Sequence, residues 1–354
     1  MRSLCGNPLM LYFALLLIVS AAVCRDDLWV RNANNNSNNP DAAARKVVFV
    51  KTHKTGSTTF ATLVKLHAIQ YRLVPVLPGP ADSVHIYHSP CPLPANITSN
   101  ILNFRQPSYD VLFHHSVLCP ALYGVLIPRA RAFSVVRRPL DRVVSALNYF
   151  TNIDSIAQYL DGKSHRTPRT VNSLACDMGL DFRNYTKHSG SALAPLYEQV
   201  AAYVGFVAVL EEYDKAVVLL SRYLQWDLAE MHVPPFKSVR SYRFALENLT
   251  AAQIKQVNNL NFADVYLYDR FVAEFRLQWN GALAYGAAED LRAFQLQRRR
   301  CEDLYTLLRR TASVEMNSTL ALQCDVCHCE LLDENFLKMP PQWKVTRGQI
   351  SLLQ

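Results

Sequence analysis

Residues 46–57 read KVVFVKTHKTGS. The first five, Lys46 to Val50, form a short apolar, β-branched run of the kind found in strands buried on both faces. From Ser57 to His67 the pattern changes. Phe60, Leu63, Val64 and His67 recur at helical spacing and predict one apolar face. A turn containing Lys51, Thr52, His53, Lys54, Thr55 and Gly56 therefore joins a buried strand to the start of a helix. Such a start carries unpaired backbone N–H groups and the positive end of the helix dipole. Gly56 permits close backbone approach, Lys51 and Lys54 add charge, and Thr55, Ser57, Thr58 and Thr59 add hydroxyls. Together they predict an anion cradle suited to phosphate.

The alternation continues outward from this turn. Residues 71–77 and 84–87 read as short strands between prolines, and YDVLFHH (109–115) as a strand ending in His114 and His115. A short helix is predicted over 120–127. RAFSVV (131–136) is a buried strand, Leu140–Phe150 a helix, VGFVAVL (204–210) a strand, and EEYDKAVVLLSRYLQW an amphipathic helix. From Thr250 to Arg310 the pattern is mostly helical. This predicts an α/β fold, a central parallel sheet flanked by helices, with a mainly helical C-terminal part. Ligands in such sheets bind beyond the carboxyl ends of the strands. Three motifs fall at those ends: KTHKTGS, His114–His115, and Arg137–Pro139.

The chain has 354 residues, half of them hydrophobic, and a formal charge of +8. That charge predicts an anionic partner without choosing among nucleic acid, membrane headgroups and phosphorylated or sulfated small molecules. The arginines at 298–300 and 309–310 are expected on a solvated helix face rather than in a nucleic-acid site. Residues 1–8 form a short N-terminus, expected to be cytoplasmic. Residues 9–24 are almost wholly apolar and form either a cleaved signal peptide or a short signal anchor. An Asn-rich stem follows over 25–45, then a luminal domain over 46–330 and a tail over 331–354. This is the layout of a single-pass type II membrane protein. Sequons at Asn35, Asn96, Asn184, Asn248 and Asn317 agree with it. Seven cysteines lie beyond the leader: Cys91, Cys119, Cys176, Cys301, Cys324, Cys327 and Cys329. In an oxidising lumen most should pair, leaving one over. CDVCHCE at 324–330 lacks a second ligand pair at zinc spacing, so disulfides are expected there and no metal.

The second chemical motif is FSVVRRPLDRVVSALNYF at 133–150. Arg137 ends a strand, and Ser145 follows on the next helix. A guanidinium fork and a hydroxyl so placed suit a second phosphate. Arg138, Asp141 and Arg142 read as solvated residues of the strand–Pro–helix junction. The first loop is not a Walker A loop, because both lysines precede Gly56 and no glycine opens the motif. That, with the luminal layout, excludes a P-loop kinase or nucleotide hydrolase.

KTHKTGS after one strand, then RxP…R..S…NYF after a later one, resembles the paired signature of sulfotransferases that use 3′-phosphoadenosine 5′-phosphosulfate. In detail the chain is similar to the galactose 3-O-sulfotransferase family. The further matches are VLFHHSV (111–117), NSLACDMGLDF (172–182), VAVLEEYDKAVVLL (207–220) and NNLNFADVYLYDRFVAEF (258–275). The resemblance covers about residues 46–280. It implies a P-loop-NTPase-like sulfotransferase fold and a Golgi membrane location. It also implies transfer of a sulfuryl group to a hydroxyl, galactose 3-OH foremost, of a glycolipid or glycoprotein glycan. Lys51, Thr52, Lys54, Thr55, Gly56, Ser57, Thr58 and Thr59 would hold the 5′-phosphosulfate, and Arg137 and Ser145 the 3′-phosphate. His53 is the first candidate for the base that deprotonates the acceptor, with His114 and His115 next, while Lys54 and Lys51 stabilise the leaving phosphate. No metal and no nucleic-acid partner is expected, and the oligomeric state is open. Two departures stand out. Arg138 replaces a commonly acidic residue, and Val143 or Val144 a phenylalanine. The Pro-rich 75–94 stretch and the C-terminal third match poorly. Heparan-type sulfation and a non-catalytic glycan-binding role are the alternatives.

Overall fold

The computed structural model of the chain describes residues 46–79, 85–87, 101, 108–162, 166–181, 193–233 and 245–315. The leader, the stem, the tail and the segment 236–243 lie outside them. So do four of the sequons, all but Asn248, and Cys91, Cys324, Cys327 and Cys329.

Four parallel strands make the central sheet: β1 (Val47–Val50), β3 (Val111–Leu112), β5 (Arg131–Val136) and β6 (Phe206–Val209), in the order β3-β1-β5-β6. A second pair, β2 (His85–Tyr87) and β4 (His115–Ser116), is also parallel. Helices α1 (Ser57–Tyr71), α2 (Pro120–Leu126), α3 (Pro139–Phe150), α4 (Ile156–Asp161), α5 (Ser173–Asp177), α6 (Leu193–Tyr203) and α7 (Tyr213–Leu224) connect and cover the strands. The chain ends in α8 (Ala251–Leu260), α9 (Phe262–Leu283) and α10 (Ala287–Glu315).

The central strands are apolar because both faces are covered. All four residues of β1 and all four of β6 are buried. Phe49 stacks on Phe133 of the next strand at 4.6 Å between ring centroids, and Phe60 of α1 closes on both rings. Burial of each such side chain contributes about 1.5–3 kcal/mol. The helical face expected from Phe60, Leu63, Val64 and His67 is the buried face of α1. His67 stacks on Trp226 at 3.7 Å.

Three expectations change. The run 109–115 is not one strand. It pairs with β1 only over Val111–Leu112, then re-forms as β4 against β2, so His115 belongs to a different ladder. Within 71–77 the chain makes a single bridge, Pro75 to Val111, since a proline cannot donate to a continuing ladder. The arginine cluster is mixed. Arg299 and Arg300 are exposed, whereas Arg298 pairs with Asp214 of α7 and ties α10 to the body. Among the described residues no helix is long and apolar enough to cross a membrane.

Candidate active site

Parallel strands deliver their carboxyl ends to one edge, so the loops after β1, β3 and β5 meet there. The loop after β1 is built from its own hydroxyls. Thr52 and Thr55 are wholly buried. The Thr52 hydroxyl donates to the Val135 carbonyl of β5 at 2.6 Å and lies 2.7 Å from the Thr55 hydroxyl. Ser57 donates to the Thr52 carbonyl at 2.5 Å. These contacts fold the turn back on itself. Lys54 and Gly56 both take positive φ, 61° and 71°. A methyl group at Gly56 would sit 2.6 Å from Leu210 Cδ1, the tip of a side chain that can shift, so it is chiefly the positive φ that favours glycine.

Gly56 leads into a 15-residue helix whose N-terminus has no side-chain cap. Its first-turn amides and dipole favour an anion. Of the hydroxyls beside it, Thr58 is exposed and Thr59 half-buried. Arg137, at the end of β5, donates from Nη1 to the Lys54 carbonyl at 3.2 Å. The two loops singled out in the sequence are therefore in contact. Ser145 lies buried on α3. The Lys54 ammonium rests 3.9 Å above the ring centroid of Tyr149, from the far end of the same helix.

The histidines separate in position. The His53 ring stacks on that of His115 at 4.1 Å and 17°. His114 rests against Phe113 at 4.8 Å. The His115 Nδ1 is 3.0 Å from the Lys51 carbonyl, which can only accept, so that nitrogen carries the proton. His53 makes two bonds to one carboxylate. Its backbone N–H donates to Asp177 Oδ2 at 2.7 Å, and its Nδ1 lies 2.8 Å from Asp177 Oδ1.

Asp177 ends α5 and was not picked out as a site residue from sequence. The available signal was one carboxylate in the apolar run SLACDMGL, inside a stretch that the family resemblance had marked. A buried ion pair holds α5 in place. Arg142 and Asp264 are both fully buried, with Nε to Oδ2 at 3.1 Å. Asp264 accepts from the Ala175 and Leu174 amides at 2.9 and 3.3 Å, and so caps α5 from another helix. Burial raises the Asp264 carboxyl above its usual range, with Arg142 and the two amides opposing. Arg142 also donates to Asn261 Oδ1 and the Thr170 carbonyl, at 3.2 and 3.4 Å. The expected solvated Arg142 is therefore corrected, while Arg138 stays largely exposed beside Asp141. Cys176 is a buried free thiol whose ionisation burial opposes. Among the described residues no group of three or more His, Cys, Asp or Glu gathers to hold a metal ion.

The sequence profile described as Galactose-3-O-sulfotransferase matches residues 9–323. Human galactose-3-O-sulfotransferase 3 is 27% identical over 292 residues, covering 76% of this chain and 66% of the relative. Mouse galactosylceramide sulfotransferase is 24% identical over 269 residues, 68% of this chain and 59% of the relative. Human galactose-3-O-sulfotransferase 2 is 24% identical over 305 residues, 80% and 75% respectively. The match to the first of these thus stops just short of two thirds of the relative's length.

Proposed function

The chain belongs to the galactose-3-O-sulfotransferase family, and on that premise we propose that it transfers a sulfuryl group from 3′-phosphoadenosine 5′-phosphosulfate to the 3-hydroxyl of galactose in a glycolipid or glycoprotein glycan. The observation that carries this is the contact between the two loops, Arg137 to the Lys54 carbonyl, with the His53–Asp177 pair beside it. One nucleotide can then span both loops.

The residues fit the donor. The uncapped start of α1, with Gly56 at positive φ, offers amides to the 5′-phosphosulfate end. Lys54 and Lys51 supply charge there, and Arg137 with Ser145 suits the 3′-phosphate. During transfer, the α1 amides and Lys54 stabilise charge on the departing phosphate oxygen. His53 accepts the proton of the attacking hydroxyl, a role typically worth about 10²–10⁴ in rate. His115, stacked on His53, orients the ring or the acceptor.

The names of the relatives support galactose as the sugar. The 9–24 leader and the stem support a type II Golgi membrane protein with a luminal domain. Cys119 and Cys301, each disulfide-bonded, support an oxidising lumen. The test is an acceptor screen with labelled donor on galactosylceramide, lactose-type oligosaccharides and heparan chains, followed by mapping of the new sulfate. Sulfate on galactose O3 is expected. Exclusive modification of heparan, or no transfer to any acceptor, overturns the proposal.

A further inference from the structure

We propose that Asp177 is a positioning residue that fixes the tautomer of His53, keeping Nδ1 protonated and Nε2 as the nitrogen that takes the acceptor proton. The proposal rests on His53 being the base.

A single carboxylate makes both contacts. Oδ2 accepts from the His53 backbone amide at 2.7 Å, and Oδ1 faces Nδ1 at 2.8 Å. A carboxylate only accepts, so the ring proton must lie on Nδ1. The basic lone pair is then confined to Nε2. Both side chains are largely desolvated, at 15% and 10% exposure, so water competes weakly for these bonds. Asp177 is itself held. Its carbonyl accepts from the Leu118 amide at 2.8 Å, and α5 is capped by the buried Asp264. The stacked His115 ring restricts rotation of His53 about its side chain.

The proton balance is simple. The acceptor O–H bond breaks as an N–H bond forms at Nε2. The new oxygen–sulfur bond forms as the bond from sulfur to the phosphate oxygen breaks, and the negative charge leaves with the bisphosphate. Asp177 takes no proton, and its charge faces the imidazolium that results.

Asparagine at 177 makes the test sharp. To keep accepting from the His53 amide, its oxygen must face the main chain. Its NH₂ then points at Nδ1 and selects the tautomer with the proton on Nε2, which cannot accept another. Asp177→Asn should therefore lower kcat by on the order of 10²–10⁴. Binding of adenosine 3′,5′-bisphosphate should be unchanged, which also reports an intact fold. Asp177→Ala leaves a gap that formate can fill, so added formate should restore its activity in part and leave Asp177→Asn unaffected. In a His53→Ala background, Asp177→Asn should cost nothing more. Unchanged kcat in Asp177→Asn, an equal loss in both backgrounds, or a loss carried by donor affinity would each overturn the positioning role. Full activity of His53→Ala would instead defeat the assignment of the base.

Discussion

Replacing Arg142 with methionine should destabilise the protein by about 3–5 kcal/mol, because it leaves a buried carboxylate without its cation. Methionine keeps the apolar stem, so the loss isolates the guanidinium. In the native chain that group is fully buried and reaches Asp264 at 3.1 Å, Asn261 at 3.2 Å and two main-chain carbonyls at 3.4 Å. Asp264 retains its two amide donors from α5, which places the cost toward the lower end. For a urea slope of about 2–3 kcal/mol per molar, 3 kcal/mol lowers the unfolding midpoint by roughly 1–1.5 M.

The second substitution decides the cause. Asp264→Asn alone should also destabilise, since it strands the arginine. Added to Arg142→Met it should instead raise the midpoint above that of the single variant, by at least about 1 kcal/mol in stability. It removes the unpaired charge and keeps an oxygen for the Ala175 amide. A single-variant cost under about 1 kcal/mol, or an Asp264→Asn effect of the same sign in both backgrounds, would refute the account of the ion pair.

Other perturbations test neighbouring claims. Gly56→Ala should cost about 1–2 kcal/mol for its positive φ alone. The contact with Leu210 should add to this, and a Leu210→Ala partner should relieve only the steric part, both read by thermal unfolding. Arg137→Ala should weaken adenosine 3′,5′-bisphosphate binding roughly tenfold to a hundredfold by calorimetry, the worth of one charge-assisted hydrogen bond. Arg137→Lys should recover only part, having lost the fork. Burial pushes His232 down to about 4, with Gln297 opposing and Arg298 reinforcing. Its folded value lies below the unfolded one, so the unfolded chain binds the extra proton. Stability should then fall as pH drops from about 6.5 toward 4, by at most about 3 kcal/mol. His232→Phe, which keeps the stack on Phe294, should remove that part of the acid sensitivity in urea titrations at several pH values.

What could be read from the sequence was local. β1, its loop and α1 follow from a change of hydrophobic period across seven residues, and β5 from an apolar run bounded by arginines. Convergence of the loops follows from parallel pairing, which leaves the strand ends nowhere else to go. Asp177 and Arg142 were hidden for the opposite reason. Asp177 meets His53 across 124 residues, and Arg142 meets Asn261 across 119. Arg142 sits in RRPLDR, where neighbouring charges make any arginine look solvated. The docking of α9 against α3 and α5, with Asn261 and the carbonyls of Arg169 and Thr170, removes it from water. A polar residue's burial is a tertiary property, and no periodicity along the chain records it.

The loop hydroxyls carry the same lesson into the chemistry. Thr52, Thr55 and Ser57 stand where a phosphate-binding loop would offer donors, yet their protons face oxygens of the loop itself and of β5. A hydroxyl has one proton to give, so in this conformation these three shape the turn rather than grip an anion. In the proposed function the grip falls to main-chain amides, the lysines, and Arg137 with Ser145. The turn that leads to those amides holds two left-handed residues, Lys54 and Gly56, and at Lys54 this carries the ordinary steric cost of a side chain in such a backbone. The inward hydroxyls and the Asp177 carboxylate, bonded to the His53 amide inside that turn, offset it. In the proposed mechanism, positioning of the base and formation of the anion cradle therefore share the bond from the His53 amide to Asp177. Asp177→Ala, which breaks that bond, should be felt by both, whereas Asp177→Asn keeps it and should spare donor binding.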